Sequence, residues 1–368
     1  MKPQSKWRAG MMVLALTAAT LQAQEGAGAD RRNELGLDVV RLSPRVAVVY
    51  GGPWDNGIVA VAGQKGVVVV DAPFSRTLGG AFREAIRAEL GRADIAYLVN
   101  THEHVCHVGG NGAFADVPIV GHESLLREMR VLSADAGRAT KVSAIGDREL
   151  AKVREHLLKA DPKKLEGPEW ALYEKLWRTI QADLRQDPAL VLPTITFESG
   201  MTLQLGDVSV ELVYYGHSHG VGDTIVRVPE ENLVLTAGIF YPTKVPTLGE
   251  VAEGATPPVV NNWLVVMRRL LDQANEETKF LASHGRVVMK KERYRGYVDY
   301  LEGLWSGVRS ARAKGRTLDQ AKADLPLSGF PTVAGLPNEE LRGTEWENLD
   351  IHGHNIERLW TMLERAPR

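Results

Sequence analysis

The stretch Thr101-His102-Glu103-His104-Val105-Cys106-His107 packs three histidines and the chain's single cysteine into six positions. Just before it, Ile95-Ala96-Tyr97-Leu98-Val99-Asn100 is apolar and partly β-branched, the pattern of a short buried strand. Just after it, Gly109-Gly110-Asn111-Gly112 reads as a tight loop. Imidazoles at a strand mouth, held by a glycine-rich turn, can converge on one point. Neutral imidazole and thiolate are ligands for zinc and related borderline metals. A purely structural role would require a core to satisfy three polar rings at once, which is costly. The cluster also has partners elsewhere: His217-Ser218-His219 and His284 each follow apolar, strand-like runs. A metal site assembled at several strand ends predicts that arrangement.

The rest of the chain bounds this reading. Its 368 residues suffice for one large domain or two moderate ones. A hydrophobic share of 44% with 24% charged residues is ordinary for a globular protein, and the net charge of −2 supplies no field for nucleic acid or anionic lipid. Lys2, Lys6 and Arg8 precede the short apolar run Met11 to Ala19, with Leu21-Gln22-Ala23 as a cleavage site. This reads as a signal peptide over 1–23, so export to a periplasm or the exterior is expected, without a stable membrane anchor. One cysteine cannot form an internal disulfide, and a free thiol in an oxidising compartment needs burial or a metal.

Strands are predicted at Arg45–Tyr50, Gly57–Ala62 and Gly66–Asp71. Val67-Val68-Val69-Val70 is apolar throughout and so is expected to be buried on both faces. Thr77 to Leu90 has helical spacing and ends at Gly91. A further strand, Val117–Val120, leads to His122, expected at a cleft rim or facing solvent, and a helix from Ser124. Residues 138–193 read as a helical insert over one edge, with Trp170, Tyr173 and Trp177 as its packing stripe. Strands resume near Thr194, Met201, Val208, Ile225, Leu233 and Phe280. Pro242 to Pro258 reads as a loop. Helices are predicted over Trp263–Leu271, around Tyr294–Val308, after a Thr317/Gln320 capping box, and over Asn348–Leu363. The pattern suits two sheets faced by helices.

These residues together resemble the metallo-β-lactamase-fold hydrolases. That family's first signature, His-x-His-x-Asp-His after a strand, is matched by Asn100 to Asn111 except at Cys106. Its later signatures match His219 with Gly222-Asp223-Thr224, and His284-Gly285. The resemblance covers about Val46 to Tyr297. It implies an α/β (α+β) fold, an αββα sandwich over 24–315, with C-terminal helices over 316–368. It implies that His102, His104 and His219 hold one zinc, and that His107 and His284 help to hold a second. Asp71 resembles the carboxylate kept behind the histidines, although turn capping explains an aspartate there equally well, and Asp223 lies in the same outer layer. Cys106 and His107 are the candidate catalytic residues on the second-metal side.

Two departures shape the functional expectation. Cys106 stands where the family has aspartate, and Ile239 falls where many members carry a bridging aspartate. The remaining ligand set is most similar to the β-lactamase subclass with an all-histidine first site. Cys106 can be a thiolate ligand of the second metal, a neutral thiol beside a single metal, or the mark of a degenerate site. His217 can line the pocket or serve the turn. Tyr214 and Tyr215 can donate to an oxyanion or simply pack. His156 is expected to be exposed, and His352 and His354 to cap a helix or face solvent. Two functions follow. One is a zinc hydrolase opening a small ester, lactone or amide, including a β-lactam. The other is a catalytically degenerate metal- or thiol-binding relative with a sensing or redox role. The expected partner is a small-molecule substrate, not nucleic acid, since no basic cluster is present.

Overall fold

The computed structural model describes residues 34–239, 259–286, 288–334 and 350–365, all within the compact unit Arg31–Arg368. The expected signal peptide over 1–23 and the loop from Pro242 to Pro258 lie outside the described residues, as does the start of the helix expected from Asn348.

The first sheet has seven strands in chain order: β1 (Asp38–Arg41), β2 (Val46–Gly51), β3 (Asn56–Gly63), β4 (Gly66–Val70), β5 (Ile95–Val99), β6 (Ile119–His122) and β7 (Ile195–Phe197). Pairing is antiparallel from β1 to β4 and parallel from β4 to β7. The helices between these strands are α1 (Arg76–Leu90), the single turn α2 (Val105–Val108), α3 (Glu123–Ala134), α4 (Arg138–Ala160) and α5 (Pro168–Gln186). The second sheet comprises β8 (Gly200–Gln204), β9 (Ser209–Tyr214), β10 (Thr224–Val228), β11 (Leu233–Leu235), β12 (Lys279–Leu281) and β13 (Val288–Met289), antiparallel except between β11 and β12. It is backed by α6 (Val260–Gln273) and α7 (Lys291–Ala313). Then come α8 (Leu318–Asp324), α9 (Pro331–Ala334) and α10 (Ile351–Arg365).

Period-two patterning builds the layers. Val68 and Val70 of β4 face the second sheet, packing in one cluster with Val210, Leu212, Val226 and Leu235. Val67 and Val69 face the other way, onto Phe82 and Ile86 of α1. The all-apolar run is therefore buried on both faces, as expected. On the far side, Ile225, Val234 and Phe280 pack against Trp263 of α6 and Tyr294 and Tyr297 of α7. The result is the αββα sandwich. The capping box before α8 is also present, with Gln320 N–H donating to Thr317 Oγ1 and Thr317 N–H donating to Gln320 Oε1. α8, α9 and α10 pack on α7.

Some local readings change. Asn111–Phe114 is a 3-10 turn rather than a loop. β1 was not expected, because Asp38 and Arg41 break its apolar pattern at an edge. His122 is buried instead of lying at a rim; its ring stacks on Tyr214, and it bonds Ser124 and the Glu198 carbonyl. His352 is neither a cap nor exposed, since it is buried between Tyr300 Oη and the Leu325 carbonyl. His156 and His354 are half-buried.

The insert helices α4 and α5 close over the loop that carries Cys106. Val142, Ile145, Leu176, Trp177 and Ile180 form one cluster with Phe74, Leu78, Val105 and Cys106. Trp177 is 1% exposed and packs edge-on against Trp54 and Phe74. Trp177→Ala should cost about 3–5 kcal/mol in chemical denaturation. Trp177→Phe should cost much less, because Trp177 Nε1 has no hydrogen-bond partner to lose. Equal losses for the two variants would show that this packing is not what the ring contributes.

Candidate metal centre

β5 delivers the chain to Asn100, whose amide pairs reciprocally with that of Asn111 at 2.9 and 2.8 Å. The loop between them is thus closed at its base. His102 to His104 forms a bend and α2 is helical, with His104 extended at its N-cap position. The bend followed by one helical turn places His102 and His104 in one group and Cys106 and His107 in the other. Gly109 makes the turn possible: a Cβ there would lie 2.5 Å from the Phe74 carbonyl carbon. The segment after β4 backs this loop, with Ala72 N–H donating to the His107 carbonyl and Phe74 N–H to the Val105 carbonyl.

Asp71 sits at the end of β4 with φ 68°, a left-handed conformation that aspartate tolerates better than most residues. Its carboxylate accepts from Thr101 N–H at 2.7 Å, from the Thr101 hydroxyl at 2.8 Å and from His107 Nδ1 at 2.9 Å. Thr101 Oγ1 in turn stands 3.0 Å from His102 Nδ1. Asp71 therefore both caps the turn and braces the histidines. His219 comes from the turn between β9 and β10, where the Asp223 carboxylate accepts from the backbone N–H groups of His219 and Gly220 at 2.6 and 3.0 Å. His284 follows β12; its Nδ1 meets the Trp54 carbonyl at 3.0 Å, leaving Nε2 to face inward.

The six side chains form two groups, His102 with His104 and His219, and Cys106 with His107 and His284. Within each group the ligand atoms all lie within 4.8 Å of one another. The groups adjoin, since the His102 and His107 rings are 4.0 Å apart. Cys106 is 3% exposed, and its Sγ stands 3.9 Å from His284 Nε2. His107 Nε2 is 3.1 Å from that same nitrogen.

Charge separates the groups. Burial, with neighbouring imidazoles, holds His102 and His219 well below their ordinary pKa, and burial with His107 takes His104 down to about 3. All three are therefore neutral, the form that binds metal. Burial also opposes protonation of His107, but the neighbouring Cys106 and Asp71 outweigh it and raise its pKa to about 10. The second group thus attracts a positive charge even when a proton supplies it. His102 Nε2 and His219 Nδ1 are buried without a hydrogen-bond partner. Neutral imidazoles with an orphaned nitrogen and a charge-seeking Cys-His-His group fit a metal at each position.

Other expected residues lie outside these groups. His217 joins neither; its carbonyl is held by the Asn262 amide, so it serves the turn. Tyr214 donates to the Val221 carbonyl and Tyr215 to Gln273, so neither hydroxyl is aimed at a reacting group. Ile239 points into the core beside Trp263 and is fully buried.

Glu103 was missed. It is fully buried between the two ligand histidines, and its Oε1 accepts from Val221 N–H at 3.1 Å, tying the His102 loop to the His219 turn. Its signal was a charged residue inside an otherwise ligand-rich, apolar loop. Burial lifts its pKa from 4.5 to about 7, and burial with Glu103 nearby raises Asp223 as well. A carboxyl raised on folding takes up a proton, so metal-free protein should lose stability as pH rises from 4.5 through 7. The loss is on the order of 3 kcal/mol. Glu103→Gln should flatten that slope in urea denaturation of the chelated protein at pH 5 and pH 8. A slope identical to that of the parent would rule the carboxyl out.

The family model of the metallo-beta-lactamase superfamily matches residues 52–286, and the chain belongs to that superfamily. Its fold is similar to a metallo-beta-lactamase from Pontibacter korlensis at 15% identity and TM-score 0.51, covering 72% of this chain and 99% of that one. It is also similar to the stereoselective inverting sec-alkylsulfatase Pisa1 from Pseudomonas sp. at 15% identity and TM-score 0.63. That alignment covers 92% of this chain and 53% of the sulfatase, so the chain spans about half the sulfatase's length. No curated protein matches the chain in sequence.

Proposed function

We propose that the protein is a zinc-dependent hydrolase of a small ester, lactone or amide, β-lactams included. The observation that carries this is the convergence of His102, His104 and His219, neutral and buried, on one point. Three imidazoles are the ligand set of catalytic zinc, which keeps an open position. When bound, zinc supplies a Lewis acid that makes water reactive near neutral pH. The chain's own residues prepare for this. Asp71 holds the proton of His107 on Nδ1, and Thr101 relays the same carboxylate to His102. The Trp54 carbonyl does likewise for His284. Cys106, His107 and His284 would hold a second metal ion. We place the enzyme outside the cytoplasm, on the basic and apolar leader from Lys2 to Ala23. No helix among the described residues is long and apolar enough to cross a membrane.

The test combines zinc content with turnover of a chromogenic cephalosporin, a lactone panel and carboxylic esters. A secondary alkyl sulfate joins the panel because the sulfatase likeness spans most of this chain. Saturable, chelator-sensitive turnover on any of these supports the reading. Bound zinc with no turnover on all of them supports the binding-protein reading, for which Cys106 in place of a carboxylate is the motivating feature.

A further inference from the structure

Cys106, His107 and His284 differ in kind from the three-histidine group. The set is one sulfur and two imidazole nitrogens, and the residues are 3%, 1% and 7% exposed. The nearest braced carboxylate, Asp71, is turned to the far nitrogen of His107 and leaves Nε2 facing His284. Cys106 belongs to one buried apolar cluster with Phe74, Leu78, Val105, Ile145 and Trp177. The Asn56 amide donates to the Cys106 carbonyl at 2.9 Å and fixes the turn that presents the thiol.

We propose that this second position is selective for a thiophilic monovalent ion, copper(I), so that the protein holds two different metals: zinc on His102, His104 and His219, and copper(I) on Cys106, His107 and His284. The proposal rests on the hydrolase reading only for the existence of the site.

Two arguments favour it. Thiolate with imidazole selects copper(I) or zinc over harder ions, and a cysteine with two histidines is a trigonal copper ligand set. Structural zinc almost always takes four protein ligands, whereas this group offers three beside an apolar cluster. The spacing admits one metal ion without choosing between the two metals. Zinc–nitrogen bonds of about 2.0–2.1 Å and zinc–sulfur bonds of about 2.3 Å would separate nitrogens by about 3.5 Å and sulfur from nitrogen by about 3.8 Å around a trigonal ion. The observed separations are 3.1 and 3.9 Å from His284 Nε2 to His107 Nε2 and Cys106 Sγ.

The experiment is a mixed-metal competition on the full chain. Metal-free protein in anaerobic, reducing buffer receives zinc and copper(I) together, the copper buffered by bathocuproine disulfonate, and is desalted for elemental analysis. The expected result is one zinc and one copper per chain, with a thiolate-to-copper charge-transfer band in the near ultraviolet. Cys106→Ser should lose the band and bring copper below about a tenth of an equivalent while zinc is kept. Cys106→Asp should take zinc in place of copper. Two zincs and no copper in the parent protein would overturn the proposal, and so would copper retained unchanged by Cys106→Ser. The parent competition decides even if a variant fails to fold. Loss of the hydrolase reading looks different: zinc and copper would bind as stated and no substrate would turn over.

Discussion

Gly238→Ala should abolish metal binding on the three-histidine group and reduce turnover by about 100-fold or more, since displacement of a reactive group by about 1 Å can cost that much. Gly238 lies in the 3-10 turn Ala237–Ile239 that follows β11. A Cβ added there would meet His219 Nε2 at 2.5 Å and Cγ at 3.1 Å. The ring cannot yield. Trp263 packs edge-on to it with centroids 5.3 Å apart, and His102 and His104 stand 5.0 and 4.8 Å away. The turn cannot yield easily either, because the Ile239 carbonyl accepts from Trp263 Nε1 at 2.6 Å. Either the imidazole leaves the group or the core behind it opens. Zinc titration with circular dichroism separates these. A folded protein with a normal melting curve and no zinc on the three-histidine position is the expected outcome. Gly80→Ala is the matched control, since nothing lies within 4 Å of its added Cβ, and in mid-helix it should stabilise by about 0.5–1 kcal/mol. Full zinc occupancy in Gly238→Ala would mean that His219 is not a ligand.

Gly238 also shows where sequence reading stops. The candidate histidines of the first loop are legible because their spacing is local: a bend over His102 to His104 and one helical turn to His107 bring them together. The layers are legible for a similar reason, as Val67 to Val70 and the α1 spacing each declare which face is buried. What could not be read depends on partners far along the chain. Glu103 matters because Val221 N–H reaches it from 118 positions away. Gly238 matters because the His219 ring occupies the space a side chain would need. His122 and His352 looked free only because Glu198, Tyr300 and Leu325 are invisible to local pattern. Ile239 lies in the core beside Trp263, and its neighbour's closeness to the His219 ring carries no motif.

The same brace that was balanced between two roles in the sequence supports the second large effect: Asp71→Asn should remove metal from the Cys106, His107 and His284 position, weakening it by about 100-fold, at the upper end of what outer-layer partners of metal ligands contribute. Asparagine keeps the shape and tolerates the left-handed backbone at φ 68°. It removes the negative charge and replaces one acceptor oxygen with an N–H donor group. The carboxylate accepts three hydrogen bonds, from Thr101 N–H, the Thr101 hydroxyl and His107 Nδ1, on two oxygens. The amide offers one oxygen. If that oxygen stays on Thr101 N–H, the NH2 group faces Thr101 Oγ1 and His107 Nδ1. His107 must then accept at Nδ1 and carry its proton on Nε2, the atom 3.1 Å from His284 Nε2. A protonated Nε2 cannot ligate. If the amide turns over instead, its NH2 group confronts Thr101 N–H inside a buried turn, and the fold pays instead. The three-histidine position should be affected less, through Thr101 Oγ1 and His102 Nδ1 alone. Metal analysis of Asp71→Asn should therefore find the second ion gone and the first retained, and Asp71→Glu should not restore it because its longer side chain moves both oxygens. If Asp71→Asn binds both ions as the parent does, the carboxylate does not set the tautomer of His107, and its place behind the histidines is only that of a turn cap.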